Sequence, residues 1–239
     1  MAHPLKFRDF SPVENETWSR LFGDQALKRD QQLYPLFSDG IRELRMEANR
    51  VPDLDALNRR LEKRSGFRGI PVEGLEEDIS FFEMLLNRQF PIGNFIREPK
   101  DISYTPAPDV FHDLYGHLPF FADKDYADFN VELGRIATKH RDRPDVITQF
   151  SRLFWFTIEF GLINTPQGRR IFGAGIASSI GECEYALSDK PEVVPFDIDA
   201  IRKQDFKIDE FQRRLFIVDN AKQLYGCLPE FEKKALNGL

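Results

Sequence analysis

The chain is poor in cysteine, and no stretch of it stays apolar for long. Its two cysteines, Cys183 and Cys227, stand in no CxxC pattern, so we expect neither a disulfide framework nor a thiolate metal site. Such sparse cysteine use fits a reducing compartment. No run approaches the roughly 20 apolar residues of a membrane span, and the first ten residues lack the apolar centre of a secretory signal. These absences predict a cytoplasmic protein.

The net charge of the chain is −6, which is modest and negative. It argues against a general nucleic-acid partner and against binding to an anionic membrane surface. Phenylalanine is abundant, with 23 residues against 6 tyrosines and 2 tryptophans, and provides material for a large apolar interior. With 239 residues, 41% of them hydrophobic, one large globular domain is the expected organisation.

Apolar residues recur mostly at helical spacing, as Leu54, Leu57 and Leu61 do after Pro52. The predicted helical stretches are 14–65, 76–90 (ending at Pro91), 109–119 (ended by Gly116 and Pro119), 125–140, 146–163 and 171–189. Residues 66–74 are predicted to form a loop, residues 99–108 an extended segment, and parts of 193–217 a small sheet. Because strands do not alternate with helices, a Rossmann fold is not expected. The fold class is mainly α, that is, α+β with a small β element.

Two of the four histidines lie in one apolar stretch, PDVFHDLYGHLPFF (residues 108–121). His112 and His117 are five positions apart, which places them about 140° apart around an ideal α-helix. They could converge if the helix ends between them, as Gly116 permits. The spacing differs from HExxH, which puts both histidines on one helix face. The pattern alone leaves two interpretations open: ordinary buried histidines with hydrogen bonds, or two ligands of one metal ion.

A second apolar run, FWFTIEFGL (residues 154–162), contains a single carboxylate, Glu159. Its helical neighbours are apolar, and an unpaired ionised carboxylate there would cost several kcal/mol. Glu159 therefore needs a cation, unless it lies on an exposed stripe of its helix. Two histidines and one carboxylate form the donor set of non-haem Fe(II) oxygenases, and they also suit the catalytic zinc of a hydrolase.

Four ordered motifs give the chain a family resemblance across about residues 16–216. They are SGFRGIPVEGL (65–75), YTPAPDVFHDLYGHLPFF (104–121), FWFTIEFGL (154–162) and FGAGIASSIGECEYALSDKPEVVPF (172–196). In these motifs the chain resembles the catalytic domain of the tetrahydropterin-dependent aromatic amino acid hydroxylases, bacterial members above all. The resemblance implies a single catalytic domain over 1–239, with a helical part over about 1–65 and the site over about 66–217. It also implies a monomer without a regulatory or tetramerisation domain.

The resemblance assigns roles residue by residue. It implies that Fe(II), a tetrahydropterin and O₂ serve the reaction, with an aromatic amino acid as the substrate. The implied iron ligands are His112, His117 and Glu159. The implied pterin-binding residues are Val72, Gly74, Leu75, Phe81 and Asp113; Asp113 could instead orient an imidazole. The implied substrate-binding residues are Arg97, Tyr104, Thr105, Pro108, Trp155, Phe160, Ser178 and Ile208, with Arg97 taking the substrate carboxylate.

Two positions favour phenylalanine, converted to tyrosine, as the substrate. Tryptophan hydroxylases of this family carry phenylalanine where this chain has Trp155, and tyrosine hydroxylases carry an acidic residue near the position of Ile208. Ala107 departs from the acidic residue of animal members. Hydroxylation of tryptophan, or of the meta position of phenylalanine, stays an alternative. More distant alternatives are a zinc hydrolase and a non-catalytic pterin- or metal-binding protein.

Overall fold

The computed structural model describes residues 5–102, 108–208 and 210–238. The α-helical segments are, in chain order, α1 Pro12–Ala26, α2 Arg29–Gln32, α3 Pro35–Leu44, α4 Leu54–Ser65, α5 Asp78–Leu86, α6 Leu118–Phe121, α7 Lys124–Lys139, α8 Pro144–Phe154, α9 Ala174–Ala177, α10 Ile180–Leu187, α11 Ile198–Lys203, α12 Ala221–Tyr225 and α13 Leu228–Leu236. Two π-helical segments and one 3₁₀ turn complete them: His112–His117, Trp155–Glu159 and Pro99–Asp101. In the described ranges no helix is long and apolar enough to cross a bilayer.

The strands form two small sheets. They are β1 Arg68–Val72, β2 Gln89–Gly93, β3 Leu162–Thr165, β4 Gly168–Ile171, β5 Glu192–Pro195 and β6 Arg214–Val218. Strands β1 and β2 pair in parallel, and the second sheet has the order β4-β3-β6-β5. Only β3 and β4 are antiparallel within it. The predicted class, mainly α with a small β element, is confirmed.

Local signals explain where the N-terminal helices begin. Ser11 caps α1 through its hydroxyl, which accepts from the Glu14 amide, while the Glu14 carboxylate accepts from the Ser11 amide at 2.8 Å. Asp53 caps α4 through its carboxylate alone, which accepts from the Ala56 amide at 2.7 Å. These caps satisfy amides that have no partner inside the helix. The predicted start of a helix just after Pro52 is confirmed.

The stretch GFRGIPVEG, predicted as a loop, contains strand β1, so that prediction is wrong. Its pairing with β2 is non-local, and Pro91 lies inside β2 opposite Ile70 instead of ending a helix. The outer edge of β1 is also covered: the Asn58 side chain in α4 accepts from Gly69 N at 2.7 Å and donates to Gly69 O at 2.9 Å. Helix 146–163 was likewise predicted too long, since β3 begins at Leu162.

An aromatic cluster supports the helix that carries both histidines. Phe111 stacks on Tyr115 with ring centroids 4.7 Å apart, and Trp18 meets Phe111 edge-on at 5.1 Å. Phe37 packs against both Tyr115 and Phe120 at 5.2 Å. All five side chains are fully buried, and burying each ring stabilises the fold by about 1.5–3 kcal/mol. The back of the helix is therefore held rigidly, while its front carries the histidines.

Candidate metal centre and adjoining pockets

The two histidines lie on a stretch of π-helix, which brings them to one face. A π turn pairs residues i and i+5, so His112 and His117 stand one turn apart instead of about 140° apart. The helix does not end at Gly116, as the sequence suggested, but continues through α6. Pro119 is the second residue of α6, which follows the π segment directly, and it does not end the helix.

Gly116 serves close packing, not helix termination. A Cβ atom there would lie 2.7 Å from the carbonyl oxygen of Ala174, closer than real Cβ contacts allow. Helix α9 therefore packs directly on the π segment. The second π segment, Trp155–Glu159, extends α8 and carries Glu159 at its end. Both ligand-bearing segments are thus widened turns fixed by tertiary packing, a feature often found at functional sites.

The three predicted ligands meet in space. His117 Nε2 lies 3.0 Å from Glu159 Oε1 and 3.1 Å from His112 Nε2, and His112 Nε2 lies 3.7 Å from Glu159 Oε2. One ligand atom from each side chain falls within 4.8 Å of the others. Three donors about 2.1 Å from one ion would be about 3.0–3.4 Å apart, so the cluster fits a single metal ion.

The protonation states at this cluster suit a cation. Burial lowers the pKa of His112 to about 4, so its imidazole is neutral near pH 7. Burial alone would raise the pKa of Glu159, but its interactions with His117 and His112 outweigh burial and lower it. Neutral imidazole and ionised carboxylate are the forms that bind metals.

Ser178 fixes the tautomer of His112. The Ser178 hydroxyl donates to Gly175 O at 3.1 Å, and it lies 2.9 Å from His112 Nδ1. Because the hydroxyl proton is committed to Gly175, the serine oxygen accepts from the Nδ1–H of His112. The lone pair of His112 then sits on Nε2 and faces Glu159 and His117. Partners of this kind orient metal-binding imidazoles.

Two cavities open onto the cluster. The larger has a volume of about 220 Å³ and is lined by six of the eight residues predicted to bind substrate: Arg97, Pro108, Trp155, Phe160, Ser178 and Ile208. The smaller has a volume of about 150 Å³ and is lined by all five residues predicted to bind pterin: Val72, Gly74, Leu75, Phe81 and Asp113. The walls of both include His112 and Glu159. Tyr104 and Thr105, like Ala107, lie outside the described residues.

The sequence profile of the biopterin-dependent aromatic amino acid hydroxylases matches residues 1–237. The chain belongs to this family. Membership makes the protein a pterin-dependent monooxygenase of aromatic amino acids and decides against the zinc hydrolase, which would use the same donor set.

Relatives and solved structures agree with this assignment. Phenylalanine-4-hydroxylase of Chromobacterium violaceum is 39% identical over 230 residues, covering 95% of this hydroxylase and 77% of the relative. That of Pseudomonas aeruginosa is 35% identical, covering 94% and 85%. A structure of the C. violaceum enzyme with bound iron(III) and 7,8-dihydrobiopterin superimposes with a TM-score of 0.92 at 36% identity, covering 98% and 86%. Phenylalanine hydroxylase of Legionella pneumophila gives 0.87 at 33% identity, covering 96% and 92%.

Asp113 had two predicted roles, binding pterin or orienting an imidazole, and its position in the hydroxylase supports only the first. Its Oδ2 accepts from the Gly93 amide at 2.6 Å, and burial raises the pKa of the carboxyl well above its usual range. Among the described residues no hydrogen bond joins Asp113 to an imidazole. Ser178 orients His112 instead, and Asp113 lines the smaller cavity.

Sequence reasoning missed Asp109 and Glu182. Asp109 is fully buried and pairs with Arg97, whose Nε and Nη2 donate to its carboxylate at 2.8 and 2.9 Å. Glu182 lines the larger cavity. A charged residue between apolar neighbours, as Asp109 stands between Pro108 and Val110, was the available signal. Glu182 is the third residue of α10, and the break between α9 and α10 at Ser178 and Ser179 decides where it lies.

Proposed function

We propose that this hydroxylase binds Fe(II) through His112, His117 and Glu159 and converts L-phenylalanine to L-tyrosine with a tetrahydropterin and O₂. The convergence of the three ligands where two cavities meet carries this proposal. The phenylalanine-4-hydroxylase relatives support phenylalanine and the para position. Structures of the C. violaceum enzyme that contain iron(III) and 7,8-dihydrobiopterin support the two cofactors.

The smaller cavity suits a flat heterocycle. Phe81 is half-buried and meets Phe82, Phe90 and Phe154 at interplanar angles of 63°, 80° and 79°. None of these three rings lies parallel to Phe81, and Phe81 lines the smaller cavity, so the cavity side of its ring is the face we take for stacking. Offset stacking on an aromatic ring stabilises a bound heterocycle. We assign the pterin to this face, with the backbone of Val72, Gly74 and Leu75 alongside.

The larger cavity suits an aromatic amino acid. Arg97 offers a guanidinium that can pair with a carboxylate, and Asp109 holds it in place. Trp155 and Phe160, with centroids 4.6 Å apart, supply an apolar wall for the substrate ring. Bound iron and reduced pterin supply the activation of O₂. The protein residues orient the ring toward the metal and exclude water from it.

Product analysis tests the proposal. The enzyme is reconstituted with Fe(II), tetrahydropterin and O₂ and offered phenylalanine, tryptophan and tyrosine separately. We expect para-tyrosine from phenylalanine in the wild-type enzyme. Meta-tyrosine or 5-hydroxytryptophan as the main product would overturn the regiochemistry or the substrate. Consumption of pterin without any hydroxylated amino acid would overturn the reaction itself.

Replacing Phe81 by alanine is expected to weaken pterin binding. The variant loses the stacking face, so we expect the KM for tetrahydropterin to rise roughly tenfold, equivalent to about 1.4 kcal/mol. Initial rates at varied pterin concentration measure this change. The control is Phe7→Ala, which removes a ring that packs on Phe10 away from both cavities. Equal KM values for the Phe81 variant and the wild type would remove Phe81 from the pterin site.

We further propose that the chain acts as one catalytic domain, as a cytoplasmic monomer without a nucleic-acid partner. Both cysteines are free and buried, which is consistent with a reducing compartment. Sedimentation in the micromolar range tests the monomer, since a dimer would have twice the chain mass of 27.8 kDa.

A further inference from the structure

Glu182 is a nearly buried acid in the larger cavity. Its side chain belongs to α10, and the residue is only 9% exposed. Among the described residues no hydrogen bond or ion pair involves its carboxylate; only its backbone amide has a partner, the Ser179 hydroxyl at 3.3 Å. Burial accordingly raises the pKa of Glu182 to about 7. Such a group destabilises the ligand-free site when ionised, unless a ligand supplies a cation.

The other acids of this cavity are already committed. Glu159 belongs to the metal cluster. Glu210 is exposed and pairs with Lys207 at 2.8 Å. Asp109, behind the cavity wall, accepts four hydrogen bonds from described residues, three from Arg97 and one from the His112 amide. Glu182 is therefore the one acid in the described lining that is both buried and free to receive a cation.

The cavity also has residues that can bind the carboxylate and the ring of an amino acid. Arg97 can receive a carboxylate, since Asp109 occupies its Nε and Nη2 and leaves Nη1 outside that pair. Trp155 and Phe160 form the apolar wall. Because the Asp109 carboxylate already accepts from Arg97 and from the His112 amide, the ammonium group of a zwitterionic ligand needs a different anion as its partner.

We propose that Glu182 binds the α-ammonium group of the substrate. The inference rests on the proposed function in taking the ligand of this cavity to be an aromatic amino acid, but it does not depend on which ring the substrate carries. Arg97 and Glu182 then recognise the two charged groups of the amino acid separately. Together they fix the direction in which the side chain extends toward the metal.

The test compares a ligand that has the amino group with one that lacks it. Dissociation constants of L-phenylalanine and 3-phenylpropanoate are measured at pH 8 for the iron-loaded wild type, Glu182→Gln and Glu184→Gln. A charge-assisted hydrogen bond corresponds to roughly a 10- to 100-fold change in affinity, so we expect Glu182→Gln to weaken phenylalanine binding by this factor. Binding of 3-phenylpropanoate should stay equal or tighten. Glu184 is exposed and pairs with Lys28 at 3.0 Å, so its variant should match the wild type.

The outcomes separate this inference from the proposed function. If the substitution weakened the binding of both ligands equally, Glu182 would only shape the cavity. If it changed neither dissociation constant, Glu182 would not belong to the site. Either result overturns the inference. If the wild type hydroxylates tryptophan instead, the substrate assignment fails, and the same comparison is made with tryptophan and 3-(indol-3-yl)propanoate. Loss of discrimination in the Glu182 variant would then still support the ammonium contact.

Discussion

Replacing His117 by alanine is expected to abolish iron binding and hydroxylation together. His117 Nε2 lies close to both other ligands, 3.0 Å from Glu159 and 3.1 Å from His112. Its loss leaves two donors for the ion and removes the side chain that lies against Glu159 Oε1. We expect stoichiometric iron in the wild type, almost none in the variant, and a rate lowered by more than the ~100-fold that loss of an outer-sphere partner costs. Elemental analysis and tyrosine formation measure the two effects.

A second histidine–glutamate pair provides the control. His140 Nε2 lies 2.7 Å from Glu232, at the end of α7 and away from both cavities. His140→Ala should keep the iron content and the rate of the wild type. Circular dichroism on both variants verifies that they fold. A folded His117 variant that retains iron and turnover would show that the ligand set is wrong.

Replacing Asp109 by asparagine is expected to lower the stability of the protein far more than the same replacement of an exposed aspartate. Asp109 is fully buried, and Arg97 is only 6% exposed. The substitution leaves the Arg97 charge buried without a counter-ion, and breaking such a pair costs about 3–5 kcal/mol. We expect the free energy of unfolding, measured by urea titration, to fall by this amount. The KM for the amino acid should also rise, because Asp109 holds Arg97 in place.

An exposed ion pair gives the matched control for Asp109. Asp128 pairs with Arg88 at 2.6 Å, but both side chains are more than a third exposed. Solvent screens such a pair, so Asp128→Asn should cost no more than about 1 kcal/mol. Similar losses in the two variants would contradict the importance of burial at Asp109.

The same pair predicts how acid affects the wild type. Burial by itself raises the pKa of Asp109, but the hydrogen bond and charge of Arg97 outweigh it, so the pKa lies below its ordinary value of 3.8. A carboxyl whose pKa is lowered on folding stabilises the protein fully above the unfolded value. This stabilisation is lost as the pH falls through the folded value. The Asp109 variant should therefore lose this part of its acid sensitivity below about pH 4.

The sequence predicted the helices and the types of metal-ligand residue. It did not predict strand β1 or the buried pair of Arg97 and Asp109. The spacing of Leu54, Leu57 and Leu61 predicted α4 because helical periodicity is a local property. Strand β1 was missed because its hydrogen bonds come from β2 and from Asn58, which lie elsewhere in the chain. Glycine and proline in β1 suggested a loop, and only the pairing overrides that signal.

The cavities show the same division. Among the described residues, all those assigned to pterin and substrate by resemblance line the two cavities. The acids that complete the larger cavity were not found. Asp109 matters because it pairs with Arg97, and Glu182 matters because it lines the same cavity as Arg97. Neither relation is encoded in a short sequence window.

The sequence by itself determined the chemistry of the site: two histidines and one glutamate in apolar surroundings, and the motifs that place them in a hydroxylase family. Tertiary structure decided how His112 and His117 converge. On an ideal α-helix they would diverge, and the expected helix end at Gly116 does not occur. The π turn forms where Gly116 lets α9 pack against the helix and the aromatic cluster holds its back. A widened turn is stabilised by such packing, which residue spacing along one helix does not contain.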